Sequence, residues 1–228
     1  MRVDVAFTPD EHAAAHVGIV VDVIRATSSI AQALAAGYAR VLCCAEIDDA
    51  RALRAELGDD AVVGGERNAV VVDGFDVGAS PREFATGPKA PTLILTTTNG
   101  TRAILTAAER CDVVLLGSLL SLSAVAEAAR TEGGDIAIVC SGFKGDFALD
   151  DAYCAGRLVD ALGGDPTDAA LAASVLARAW PTALDGLNAR TYGPPGLEAD
   201  IEHCAQVDLL ATVPRFARMV GVAAEIVA

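Results

Sequence analysis

Short apolar runs alternate with helical patterns over the first 140 residues of the chain. Seven runs have the length and composition of buried strands: residues 2–7, 16–23, 40–44, 61–64, 92–96, 112–116 and 135–140. Residues 47–57 place Ile47, Ala50, Leu53 and Leu57 on one helical face, and residues 119–130 form a second, alanine-rich helical pattern. Strands this apolar, joined by helices, indicate a sheet that is buried on both faces.

The pattern changes after residue 150, where residues 152–162, 167–179 and 197–210 all have helical periodicity. We therefore predict an α/β fold: one domain over residues 1–228, with three α/β/α layers, a mixed, largely parallel sheet and a helical C-terminal third. Residues 65–91 hold much of the Gly and Pro and fit no element. Segments of that length in compact domains are usually functional or mobile.

Composition and charge narrow the class of partner. No apolar run approaches the roughly 20 residues of a membrane span, and acids stand where a signal peptide would be apolar, so we expect a cytoplasmic protein with no membrane partner. The net charge of −14 argues against nucleic acid, which requires a basic surface. A small anionic substrate stays open if the local charge is positive. A homodimer is compatible with these features.

Two covalent phosphatase mechanisms are disfavoured by the sequence. Cys140 opens the string CSGFKGD, but a thiol-phosphatase loop would need Arg six positions later, where Asp146 stands. An aspartyl-phosphate mechanism at Asp22 would need a second Asp two residues on, where the chain has Ile24. The six cysteines show no CxxC pair or zinc spacing and are expected to be buried.

Four Gly- or Thr-rich segments, each after a predicted strand, carry the chemistry. They read VDVIRAT (21–27), GGERNAVVVDGFDVGASP (64–81), TTTNGTR (96–102) and SGFKGDFALDD (141–151). Each places oxygen ligands beside a guanidinium or ammonium group, which suits a phosphate ester together with a hard divalent cation. In open α/β sheets, ligands bind where strands end and helices begin.

These segments supply three sets of candidate residues. The candidate Mg²⁺ ligands are Asp22, Glu66 and Asp76. The candidate catalytic groups are Asp22, Arg25, Glu66, Asp150 and Asp151, which would serve hydrolysis by a metal-activated water. The candidate substrate-binding groups are Arg67, Thr97, Thr98, Asn99, Arg102 and Lys144, and we expect the arginines and the lysine to converge in one pocket.

Each set has a plainer interpretation. Asp22 and Arg25 can simply tie a strand to a helix, while Thr98, Asn99, Asp150 and Asp151 can cap helices. A non-catalytic anion or metabolite sensor could use the same basic and hydroxyl groups without turnover. The acids favour the enzyme, because a pure anion binder has no reason to place them beside its arginines.

Six ordered strings between residues 20 and 215 resemble the 2-phosphosulfolactate phosphatase family, the ComB-like proteins of coenzyme M biosynthesis. The strings are VDVIRATSS, GGERN, GFDVGASP, TTTNGTRA, CSGFKGDFALDDAYCAG, and IEHCAQVD with VPRF. The resemblance implies a Mg²⁺-dependent phosphatase with an α/β/α fold, acting on a small molecule that carries a phosphate, a carboxylate and a sulfonate. Ala69, Ala79 and Asp150 depart from the family's Gly, Asn and Glu. Those departures leave another phosphorylated hydroxy acid open as the substrate.

Overall fold

The computed structural model describes residues 1–11 and 13–228. Its strands are β1 Arg2–Ala6, β2 Val17–Val21, β3 Arg40–Cys43, β4 Ala61–Arg67, β5 Val70–Val71, β6 Thr92–Thr96, β7 Val113–Gly117, β8 Ile136–Cys140, β9 Asp165–Pro166, β10 Arg215–Val220 and β11 Ala223–Val227. Its helices are α1 Ala26–Ala35, α2 Ile47–Leu57, α3 Pro81–Phe84, α4 Gly100–Arg110, α5 Leu122–Glu132, α6 Leu149–Leu162, α7 Asp168–Ala177, α8 Ala183–Asn188 and α9 Glu198–Cys204. Each of the seven predicted strands is present, within a few residues at its ends.

The eleven strands form one sheet in the order β5-β4-β6-β3-β11-β10-β7-β2-β8-β1-β9. Neighbours pair in parallel within the group β4-β6-β3 and within the group β7-β2-β8-β1-β9. The hairpin of β10 and β11 lies between these groups and pairs antiparallel with β7 and β3. The prediction of a mixed, largely parallel sheet is confirmed.

The prediction of a helical C-terminal third is wrong, because the chain ends in the β10–β11 hairpin at the centre of the sheet. Helices α6, α7 and α9 do occur where helical patterns were found. The turn has two residues, and Gly221 at its first position has φ +59°, which a type II′ hairpin turn requires. Ala223, Ala224 and Ile226 are fully buried, so β11 is a core strand.

Helices cover both faces of the sheet. In β3, Val41 and Cys43 pack in the cluster formed with α1 and α4, while the alternate residue Leu42 packs in the cluster that includes Ala50 of α2. The largest cluster lies between the strands β1, β2 and β8 and the helices α5, α6 and α7. Among residues 1–11 and 13–228, none of the helices combines the length and the apolar character needed to cross a membrane.

The sheet curves around α1 and α4. Five pairings separate β6 from β2, which would place them about 24 Å apart in a flat sheet. Gly100 lies only four residues after the end of β6, yet the position of a Cβ on Gly100 is 2.7 Å from Oδ2 of Asp22, the residue that follows β2. Four residues span at most about 14 Å. Curvature therefore brings the ends of two distant strands together.

This close approach predicts the effect of a single methyl group. A Cβ at position 100 would collide with Cβ of Ala26 as well as with Asp22. We expect Gly100→Ala to destabilise the chain by about 1–3 kcal/mol through overpacking, which lowers the melting temperature by about 2–12 °C for a chain of this size.

The control is Glu109→Ala on the exposed face of the same helix, which should shift the melting temperature by less than about 2 °C. An unchanged melting temperature for Gly100→Ala, measured by circular dichroism, would contradict the packing described for α1 and α4.

Candidate active site

Three helices begin around one small cavity. Ala26 starts α1, Asn99 precedes the first residue of α4, and Ala148 precedes the first residue of α6; all three line the cavity. The unpaired N–H groups of a helix N-terminus give it a partial positive charge that attracts anions. The cavity volume is about 70 Å³, which is room for about five water molecules. The cavity therefore suits a small anion or a small hydrated ion.

Four carboxylates line the same cavity: those of Asp22, Glu66, Asp150 and Asp151. Burial raises the pKa of Asp22 to about 6, and the neighbouring carboxylates of Asp150 and Glu66 raise it in the same direction. Burial also raises the pKa of Asp150, against the opposing charge of Arg190. Like charges confined in one buried space favour protonation or the binding of a cation.

Asp151 has a positioning role. Its Oδ1 accepts a hydrogen bond from the N–H of Val23 at 2.9 Å. Its Oδ2 accepts from the hydroxyl of Ser141 at 2.9 Å and from the N–H of Gly142 at 3.1 Å. These bonds join the segments that follow β2 and β8, while burial raises the pKa of Asp151 well above its usual range. Both of its oxygens are already engaged in holding the two segments.

Glu66 is held by a tight turn and by the start of the α4 loop. Its Oε2 accepts from the N–H of Ala69 at 2.6 Å, and its Oε1 accepts from both the N–H and the hydroxyl of Thr98 at 3.0 and 2.9 Å. Asn68 and Ala69 form the turn between β4 and β5 with φ of 53° and 61°. Glycine adopts such angles without strain, which explains why the family resemblance implies Gly at position 69.

The polar side chains of the TTTNG loop mainly support the local structure. The hydroxyl of Thr97 accepts from the N–H of Thr101 at 3.3 Å, and Oδ1 of Asn99 accepts from the N–H of Lys144 at 3.2 Å. Thr98 donates to Glu66, as described above. All three residues nevertheless line the cavity. Of the two interpretations left open for this loop, these contacts favour structural support by the side chains.

Three cationic side chains line the cavity, and one of them already has a partner. The guanidinium of Arg25 lies 2.7 Å from Oδ2 of Asp200, with both side chains largely buried. Lys144 lies over the ring of Phe143, with Nζ 5.3 Å from its centroid. The third is Arg190. Four carboxylates against three cations leave the lining at a formal −1, and the pairing of Arg25 with Asp200 makes the balance more negative.

The expected convergence of four cationic groups in one pocket does not occur. Arg67 and Arg102 line a neighbouring groove of about 570 Å³, which shares Lys144 with the cavity. Arg67 donates to the carbonyls of Glu66 and Ala45 and to the hydroxyl of Thr96. The guanidinium of Arg67 is therefore already hydrogen-bonded within the protein. Arg102 is mostly exposed and pairs with Glu46 at 3.1 Å.

Two other sequence-based candidates lie elsewhere. Asp76 lines neither cavity, because its Oδ2 accepts from the N–H of Val63 at 3.0 Å and faces Nε of Arg54 at 3.6 Å. This leaves Asp22 and Glu66 from the expected metal set. Cys140 packs in the largest apolar cluster, and burial raises the pKa of its thiol well above the usual range. The disfavoured thiolate nucleophile thus has no support in the structure.

Arg190 and Tyr192 are cavity residues that the sequence analysis missed. The Tyr192 hydroxyl accepts from the N–H of Leu149 at 3.1 Å and donates to Oδ1 of Asp150 at 3.4 Å. Its ring stacks on Phe143 with a centroid distance of 4.7 Å. The signal was available: Arg190 stands beside the turn TYGPPG, just as the other candidate cations stand beside Gly or Thr.

The donors around the cavity fit a partly hydrated Mg²⁺ ion. In residues 1–11 and 13–228, no three His, Cys, Asp or Glu side chains already surround one metal position. Mg²⁺ does not require such a cage, since it uses one or two carboxylates and keeps waters and substrate phosphate oxygens as its other ligands. Asp22 and Glu66 supply hard oxygen donors in a space large enough for water.

The raised pKa of Asp22 predicts a pH-dependent stability without metal. Because the folded-state pKa is about 6 rather than 3.8, the protonated form stabilises the fold below about pH 4, and this contribution is lost as the pH rises through 6. In EDTA, the free energy of unfolding of Asp22→Asn, relative to that of the parent chain, should therefore rise by about 1–3 kcal/mol from pH 4.5 to pH 7.5.

Thermal melts at the two pH values measure this gain as several degrees. The control is Asp48→Asn, because Asp48 is almost fully exposed and should show the same difference at both pH values. A gain that is absent, or larger at low pH, would contradict the buried environment of Asp22.

Comparison with known proteins identifies the family of the chain. The family model described as 2-phosphosulpholactate phosphatase matches residues 5–218. A protein of Thermus thermophilus named "Probable 2-phosphosulfolactate phosphatase" is 39% identical, covering 97% of each chain. Proteins with the same name from Clostridium acetobutylicum and Pseudothermotoga lettingae are 34% and 37% identical over at least 94% of each chain. The match of the family model and the identity to full-length relatives show that the chain belongs to the 2-phosphosulfolactate phosphatase family and is a phosphoric monoester hydrolase.

Proposed function

We propose that this chain is a Mg²⁺-dependent phosphatase that hydrolyses a small phosphorylated acid, with 2-phosphosulfolactate giving sulfolactate and phosphate as the first reaction to test. The observation that carries the proposal is the meeting of three helix N-termini and four carboxylates at one cavity. The helix termini attract a phosphoryl group, and the carboxylates require a cation before a dianion can approach. The names of the relatives support the substrate.

Asp22 and Glu66 would hold the metal, and Asp151 would keep the segments after β2 and β8 in place. Bound there, Mg²⁺ would lower the pKa of a coordinated water and offset the charge on the phosphoryl oxygens. The N-termini of α1, α4 and α6 would orient those oxygens. No residue needs to form a covalent bond with phosphorus.

Asp150 is suited to deliver a proton to the leaving oxygen. Its pKa is raised by burial, so it keeps a proton to a higher pH than an ordinary carboxyl group. Tyr192 lies within 3.4 Å of its Oδ1 and can fix its orientation. Hydrolysis then gives the alcohol of the substrate and inorganic phosphate, with the attacking water supplying the oxygen.

A second candidate substrate is another phosphorylated hydroxy acid. Ala79 and Asp150 both line the cavity, and both differ from the residues that the family resemblance implies. A shorter carboxylate at position 150 and a missing amide at position 79 change the space and the hydrogen-bond donors offered to the substrate. A screen of phosphorylated two- and three-carbon acids would rank the candidates.

Asp22→Asn should lower kcat by about 100-fold or more, because one electrostatic or acid–base group is lost at the reacting phosphoryl group. Phosphate release with varied Mg²⁺ measures this loss. Mg²⁺ should also raise the melting temperature of the parent chain more than that of Asp22→Asn, which tests the metal site independently of turnover. The control Asp48→Asn should behave like the parent in both assays.

Two results would contradict the mechanism in different ways. Full activity in excess EDTA would exclude the role of the metal. A phosphorylated protein trapped by acid quench, with the phosphoryl group on Asp22, would exclude direct attack by water.

A further inference from the structure

We propose that Arg190 selects for a second anionic group, a carboxylate or a sulfonate, on the phosphorylated substrate. The proposal deepens the proposed function and rests on it. It assigns a specificity-determining role to a cavity residue on the segment after α8, which the sequence analysis did not identify.

Arg190 and Lys144 are the two cavity cations that form no ion pair among the described residues, and Arg190 lines the cavity without also lining the neighbouring groove. Arg25 is paired with Asp200, whose other oxygen accepts from the hydroxyl of Ser80 at 2.6 Å. Lys144 lies over Phe143 and also borders the open groove. Within residues 1–11 and 13–228, Arg190 has no carboxylate within ion-pair distance. An arginine that lines a cavity and has no ion-pair partner is available to an anionic ligand.

The segment that carries Arg190 is anchored beside the cavity. Tyr192 stacks on Phe143 and bonds to Leu149 and Asp150, as described above. Gly193 has φ +118°, and Nη1 of Arg190 occupies the space that a Cβ at position 193 would fill. The guanidinium of Arg190 therefore packs against Gly193, and this contact orients it in the absence of a ligand.

Different groups around the cavity suit two different anions. The helix N-termini and the carboxylate-held cation suit the phosphoryl group. The planar guanidinium of Arg190, near Asp150, suits a second planar or tetrahedral anion through two parallel hydrogen bonds. The two anions belong on one small molecule, because Arg190, Asp150 and the start of α6 all line the same small cavity. This is the arrangement of a 2-phosphorylated acid.

The test compares phosphoglycolate, which has a second anion, with ethyl phosphate, which lacks it. Arg190→Ala should lower kcat/KM for phosphoglycolate by about 10- to 100-fold, as expected for the loss of a charge-assisted pair, and for ethyl phosphate by less than about threefold. Arg190→Lys should recover only part of the loss, because an ammonium cannot donate in a fork. Gly193→Ala, which displaces the guanidinium, should show the same selectivity loss.

The control is Arg51→Ala, an exposed arginine paired with Asp48 on α2, which should leave both substrates unaffected. Titration calorimetry with the same two ligands separates this proposal from the proposed function. If the parent chain turns over neither ester but binds phosphoglycolate more tightly than ethyl phosphate, and Arg190→Ala abolishes that preference, the phosphatase mechanism fails and the role of Arg190 holds. Equal losses on both ligands, no loss on either, or no binding of phosphoglycolate by the parent would overturn the proposal.

Discussion

The buried carboxylate of Asp151 is the interaction on which the site depends. It accepts hydrogen bonds from the segments that follow β2 and β8, and it sits at the start of α6. The same bonds that satisfy Asp151 set where Asp22 and Asp150, its neighbours in space and in sequence, face the cavity. An isolated buried charge is costly, so its hydrogen bonds and the start of α6 offset part of that cost.

A second constraint is the curvature of the sheet. The β10–β11 hairpin separates two groups of parallel strands, and its antiparallel pairings reverse the strand direction between them. In a flat sheet this arrangement would keep the end of β6 away from the end of β2. Curvature around α1 and α4 brings them together. Gly100 has no side chain, so the start of α4 can lie directly against Asp22 and Ala26.

The electrostatics of the cavity follow from these two features. A chain with a net charge of −14 would repel a small dianion. Helix N-termini provide local positive potential without basic side chains. The four carboxylates of the cavity favour protonation or the binding of a cation. Under the proposed function, metal and phosphate would therefore bind to the site together. Arg67 and Arg102, which were predicted to bind the substrate, line the neighbouring groove, where Arg67 forms hydrogen bonds within the protein and Arg102 is mostly exposed.

By itself, the sequence determined the α/β class, the seven strands that were predicted and most of the groups at the cavity, because strand periodicity and loop chemistry are local properties. Asp22, Thr97 and Lys144 follow strands and Glu66 lies at the end of one, where such folds place ligands. Only the tertiary structure decided which neighbours each group meets. Asp76 pairs with Arg54, and Arg25 pairs with Asp200, which lies 175 residues away in the sequence. Such pairs form between packed elements, so the residues next to them in the sequence do not indicate the partner. The terminal hairpin was equally hidden, because the burial of its strands depends on two groups of parallel strands that meet only in the folded chain.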